Sequence, residues 1–119
     1  MIIRNEQFDT MAIPNIADFI QRAIAFLYEN FPESLDEDTD ELTEIVGSLI
    51  EKAETYGLVT EQHAMTYITT AWLLGPNFDE EFPAAKETLS SEEFTPDEKS
   101  EWLAKWTEEI FAAFEKEEK

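Results

Sequence analysis

Proline and glycine cut this chain into stretches in which apolar residues return every three or four positions, a pattern that admits helices and little else. From Ile16 the apolar residues Phe19, Ile20, Ala23, Ile24, Leu27 and Phe31 keep helical spacing, with Asn15 placed to cap the start and Pro32 to stop it. Phe26 and Tyr28 widen the apolar face, which predicts a central helix. A second stripe is formed by Leu42, Ile45, Val46, Leu49, Ile50, Ala53 and Tyr56. Asp38 or Thr39 is its expected cap, and Gly57 followed by Leu58 reads as a left-handed terminus with its hydrophobic contact. Thr60 should cap a helix over Glu61 to Leu74 that is apolar around much of its circumference and so belongs near the middle of a bundle. Gly75 and Pro76 end it.

Asn77 to Phe94 is less regular, with a short helix expected over Pro83 to Leu89. Thr95-Pro96-Asp97-Glu98 is the strongest local signal: threonine caps, proline takes the first helical position, and Glu98 closes a capping box. The last helix then carries Trp102, Leu103, Trp106, Ile110, Ala113 and Phe114, and Glu115 to Lys119 should fray. A short helical signal at Asn5 to Met11 is interrupted at Pro14. No period-two pattern competes. The expected fold is all-α, a compact bundle of four to five helices in one domain over residues 1–119, with Trp72 and Trp106 buried.

The charge is extreme for such a chain. Asp and Glu number 28 against 8 Lys and Arg, a net charge of -20. That surface repels nucleic acid backbones and anionic lipid, attracts basic surfaces, and opposes its own compaction. No cysteine is present, so disulfide and thiolate chemistry are excluded. No apolar run is long enough to span a bilayer, and Met1-Ile2-Ile3-Arg4 is too short for a signal-peptide core. The expected location is the cytoplasm.

Catalytic and metal patterns fail one by one. His63 is the only histidine, and no cysteine can join it in a zinc site. Gly47-Ser48-Leu49 falls inside a helix and lacks the second glycine of a nucleophile elbow. Asp36, Asp38 and Asp40 suggest a calcium loop. A loop opening at Asp36 has Glu41 where glycine is needed and Gly47 where glutamate is needed. Carboxylates are so abundant that no pair stands out as acid and base. The chain is therefore expected to be neither an enzyme nor a cofactor carrier.

What remains is surface. Asp36, Glu37, Asp38, Asp40, Glu41 and Glu44 make an acidic ridge over a linker and a helix start, where part of the charge complements the helix dipole. Asp79, Glu80 and Glu81 make a second cluster, between Phe78 and Phe82 as core anchors. Both clusters are candidate partner-binding sites.

The opening Met1-Ile2-Ile3-Arg4-Asn5-Glu6-Gln7-Phe8, the Phe31-Pro32 stop, the Tyr56-Gly57-Leu58 turn and the run Leu74-Gly75-Pro76-Asn77-Phe78-Asp79 occur here in an order that resembles small bacterial proteins encoded beside type VI secretion components and their effectors. The resemblance implies a partner of a secreted toxin or of its delivery machinery. Two roles follow as expectations, an immunity protein steered onto a basic toxin and an effector-loading chaperone or adaptor; a third, separate from the resemblance, is an acidic mimic of nucleic acid with carboxylates spaced like phosphates.

Overall fold

The protein is described by a computed structural model that covers residue 13, residues 15–31 and residues 39–117, without side-chain detail for residue 39 or residues 114–117. All regular elements among these residues are helices: α1 (Ile16–Asn30), α2 (Thr39–Thr55), α3 (Glu61–Leu74), α4 (Phe78–Glu81), α5 (Pro83–Ser90) and α6 (Pro96–Glu117). The expected all-α bundle is what forms. Its six segments exceed the expected four or five because the irregular stretch after Pro76 adds the single turn α4 as well as α5. The helical signal at Asn5 to Met11, Pro14, Pro32 and the linker Glu33 to Asp38 lie outside the described residues.

The helix ends follow the chemistry of their sequences. Asn15 Oδ1 accepts from the Asp18 amide at 3.1 Å, and Thr60 Oγ1 accepts from the His63 amide at 3.0 Å. At Thr95 the reciprocal box closes: the Glu98 amide donates to Thr95 Oγ1 at 3.1 Å, and the Thr95 amide donates to Glu98 Oε1 at 2.9 Å. α2 ends in a Schellman motif. The Leu58 amide reaches Ala53 O at 2.9 Å and the Gly57 amide reaches Glu54 O at 3.0 Å, with Gly57 at φ 86°. α6 continues to Glu117, past the point where fraying was expected.

α3 is the centre of the bundle, packed against α1, α2, α4 and α6. Its residues Ala64, Met65, Tyr67 and Ile68 are wholly buried, together with Phe19, Leu27, Leu42, Val46, Leu58, Phe78, Leu89 and Leu103 from the surrounding elements. Each large side chain of this kind contributes roughly 1.5–3 kcal/mol by leaving water. Burial on most sides leaves the α3 hydroxyls unevenly satisfied: Tyr67 Oη and Thr69 Oγ1 are buried with no hydrogen-bond partner among the described residues, whereas two threonines are paired. Thr66 and Thr70 donate to the carbonyls one turn back, both at 3.0 Å, and Thr70 shares a 2.7 Å hydrogen bond with Thr107 of α6.

Two expectations are corrected. α1 is not central: it packs one face on α2 and α3 and leaves Ile16 (49 % exposed) and Tyr28 (43 %) in solvent. Its wide apolar face is the hydrophobicity of an outer helix, not of an enclosed one. Trp72 and Trp106 are half-buried against the core rather than enclosed. Trp72 stands in the last turn of α3, where the seam with α2 opens into a groove. Trp106 stacks on Trp102 at 5.2 Å along the bundle edge and meets Phe82 edge-on at 5.3 Å.

Candidate protein-binding surface

Two buried acids each draw a cation inward. Asp79 is the second residue of the single turn α4 and is only 2 % exposed. Lys52 Nζ of α2 donates to its Oδ1 at 2.8 Å, and Tyr56 Oη donates to its Oδ2 at 2.5 Å. Burial pushes the Asp79 carboxyl up, but the hydrogen bonds from Lys52 and Tyr56 outweigh it and hold the group below the usual carboxylate range. Burial, and then the bond to Asp79, push the Tyr56 phenol well up. Lys52 also donates to the Pro76 carbonyl at 3.3 Å, so this one cation ties α2 to the loop that follows α3.

Glu61, at the first position of α3, is likewise 2 % exposed. Arg22 of α1 grips it with two donors, Nη1 to Oε1 at 2.9 Å and Nη2 to Oε2, while its Nε donates to Asp18 at 2.9 Å. The hydrogen bond to Glu61 raises the Arg22 guanidinium further above its already high value. Lys99 turns inward as well, to the Tyr56 carbonyl at 3.1 Å. Three of the eight basic residues therefore serve the interior.

The outer surface of α2 is left to carboxylates. Asp40, Glu41 and Glu44 are exposed in its first turns, as the ridge required, and Glu51 and Glu54 extend the exposed acids toward its end. Glu51 and Glu54 stand three residues apart near the negative end of the helix dipole, a like-charge spacing that destabilises the helix by about 0.2–0.5 kcal/mol, whereas Asp40 and Glu41 stand in the first turn, where the dipole offsets their repulsion from Glu44. Among the described residues Glu44, Glu51 and Glu54 have no ion-pair partner. The steps of seven and ten positions beyond Glu44 carry the signal for these two extra acids, which a search for contiguous charge passed over. Asp36, Glu37 and Asp38 lie outside the described residues.

The second predicted cluster divides. Glu80 and Glu81 are exposed, but Asp79 is not a surface group and is removed from the candidate site: it is paired inside the fold. Phe78 is wholly buried, 4.9 Å from the Tyr67 ring, and Phe82 packs against the core, so both act as anchors.

His63 reaches across from α3 to α6. It is buried, its Nε2 lies 2.7 Å from Asp97 Oδ1, and this contact staples the start of α3 to the start of α6. Among the described residues no group of three or more His, Cys, Asp or Glu is placed to hold a metal ion, and no helix is long and apolar enough to cross a membrane.

Two open grooves flank α2. One, of about 480 Å³, lies between α2 and the end of α3, with Ile45, Leu49, Ala71 and Trp72 in its lining. The other, of about 550 Å³, lies between α2 and the start of α1, lined in part by Ile16, Glu44, Glu51 and Glu54. Ser48 lines both. No family model, no curated protein and no solved structure matches the chain.

Proposed function

We propose that this protein is a non-catalytic, cytoplasmic immunity protein, which neutralises a cognate secreted bacterial toxin of the type VI class by binding a basic surface on it. The observation that supports this reading is the inward use of cations: Arg22 and Lys52 neutralise buried acids, while α2 keeps exposed like-charge carboxylates, of which Glu51 and Glu54 weaken the helix bearing them. Such a surface steers a basic partner into encounter and speeds association well beyond the unsteered rate. Asp40, Glu41 and Glu44, with Glu80 and Glu81, are its rim groups.

A second reading is an effector-loading chaperone or adaptor. The groove over Trp72 favours it, because a transient carrier holds apolar surface that its client later buries elsewhere. One experiment separates the two. The protein is captured from its native host, the bound protein is identified by mass spectrometry, and the active domain of that partner is expressed in a sensitive cell with and without this chain. Protection from toxicity is the expected result. Secretion that rises without protection assigns the adaptor role instead.

A further inference from the structure

Gly47 stands in the middle of α2, where glycine is about 1 kcal/mol less favourable than alanine. Among the described residues a Cβ there would meet only Ile20 Cδ1, at 4.0 Å, which is ordinary contact. Nothing among the described residues around it demands glycine. Ser48 beside it is exposed and lines both grooves, so this step of α2 forms a low saddle between them. The two sides of the saddle differ in chemistry. Toward α3 the surface is apolar, with the half-buried Trp72 ring and Ile45. The one cation lining that groove, Lys52, is already neutralised by Asp79. Toward α1 the groove presents Glu44, Glu51 and Glu54.

We infer that the Gly47–Ser48 saddle is the docking point for an amphipathic basic segment of a partner protein. The segment crosses α2 with its backbone close over Gly47 and Ser48. It lays an apolar side chain against Trp72 and Ile45 and sends a Lys or Arg side chain among Glu44, Glu51 and Glu54. Charge complementarity selects this occupant: an acidic segment would meet three carboxylates that have no ion-pair partner among the described residues, and an uncharged one would leave that groove unused. The small residues at the crossing let the backbone approach far enough to fill both grooves at once. This assignment rests on the reading that the partner is a protein with a basic surface.

The test is a nuclear magnetic resonance titration of the full chain, at moderate salt, with a short amphipathic peptide of Lys and Leu. A Glu and Leu peptide of the same length is the control. Shifts should centre on the amides of Ile45, Gly47 and Ser48 and on the Trp72 indole, and the control peptide should leave them in place. Ser48→Arg fills the saddle with a cation at an exposed position, keeps the circular dichroism spectrum, and should weaken binding by about tenfold. Glu44→Gln with Glu51→Gln and Glu54→Gln should weaken it similarly and flatten its salt dependence. No binding, shifts spread equally over the exposed acids of α6 such as Glu101, Glu108 and Glu109, or an affinity unmoved by Ser48→Arg would overturn the docking site. If the toxin-rescue assay succeeds under any of those outcomes, the immunity reading stands without this site. Shifts on the saddle with failed rescue keep the site and remove the immunity role.

Discussion

Lys52 on α2 and Asp79 on α4 meet at 2.8 Å, and this pair withdraws from the surface one cation and one of the acids that the sequence places in an exposed cluster. Tyr56, just past the end of α2, donates to the other carboxylate oxygen at 2.5 Å. Asp79 thus carries its charge inside the protein at a point where α2, α4 and the loop after α3 converge.

Removing either member of this pair should have unequal effects. Lys52→Met leaves a buried carboxylate without its cation and should cost about 3 kcal/mol. Asp79→Asn keeps an acceptor for one of the two donors, can turn its amide N–H toward the Tyr56 oxygen, and leaves no buried charge, so it should cost about 1–2 kcal/mol. Chemical denaturation of the two variants compares them, and an equal loss would show that Lys52 acts only through its packing.

The same carboxyl fixes a pH dependence. Its folded-state value is held below the usual range, so its stabilisation is complete above the unfolded value of about 3.9 and drains as pH falls through the folded value. The stability difference between the wild type and Asp79→Asn should therefore be widest near neutral pH and shrink below about pH 4. A difference that is constant across that range would mean that Asp79 is not charged in the folded state.

Two glycines should respond to alanine with opposite signs. Gly47 is helical with room for a Cβ, so Gly47→Ala should raise stability by about 0.5–1 kcal/mol. Gly57 holds φ 86° at the end of α2, so Gly57→Ala should lower it by about 1 kcal/mol or more even though its nearest neighbour, Pro96 Cγ, lies at an easy 3.6 Å. Thermal melts of the two variants read both signs.

Arg22 should tolerate lysine poorly. Lysine keeps the charge but cannot grip both oxygens of Glu61 while also reaching Asp18, so Arg22→Lys should cost about 1–2 kcal/mol. A fully neutral result in urea unfolding would reduce the grip to a surface contact.

Added salt should stabilise the protein. Repulsion among exposed carboxylates such as Glu44, Glu51 and Glu54 is screened over about 10 Å at 0.1 M, so the melting temperature should rise between low and moderate ionic strength. A flat or falling curve would show that loss of the internal pairs at Arg22 and Lys52 outweighs relief of the surface.

Every feature that the sequence alone determined is local or periodic. Asn15, Thr60 and the Thr95–Glu98 box lie within one turn of the amides they bond, and Gly57 needs only its own dihedral angle, so their roles could be read before any contact was known. The apolar circumference of α3 foretold its central position for the same reason: a helix with no polar face has to be surrounded. Periodicity ranks faces within a helix but does not say which helix lies outermost, and so α1, with its broad stripe, was expected at the centre and stands at the periphery. The acidic clusters show the same limit more sharply. Asp79, Glu80 and Glu81 are consecutive and chemically alike, yet one is buried and two are exposed. The difference is made by Lys52 and Tyr56, 27 and 23 positions away in the chain. The two grooves beside Ser48 exist only once α1, α2 and α3 are docked. Burial of a charge depends on a partner brought close by packing, and that proximity is a property of the tertiary structure alone.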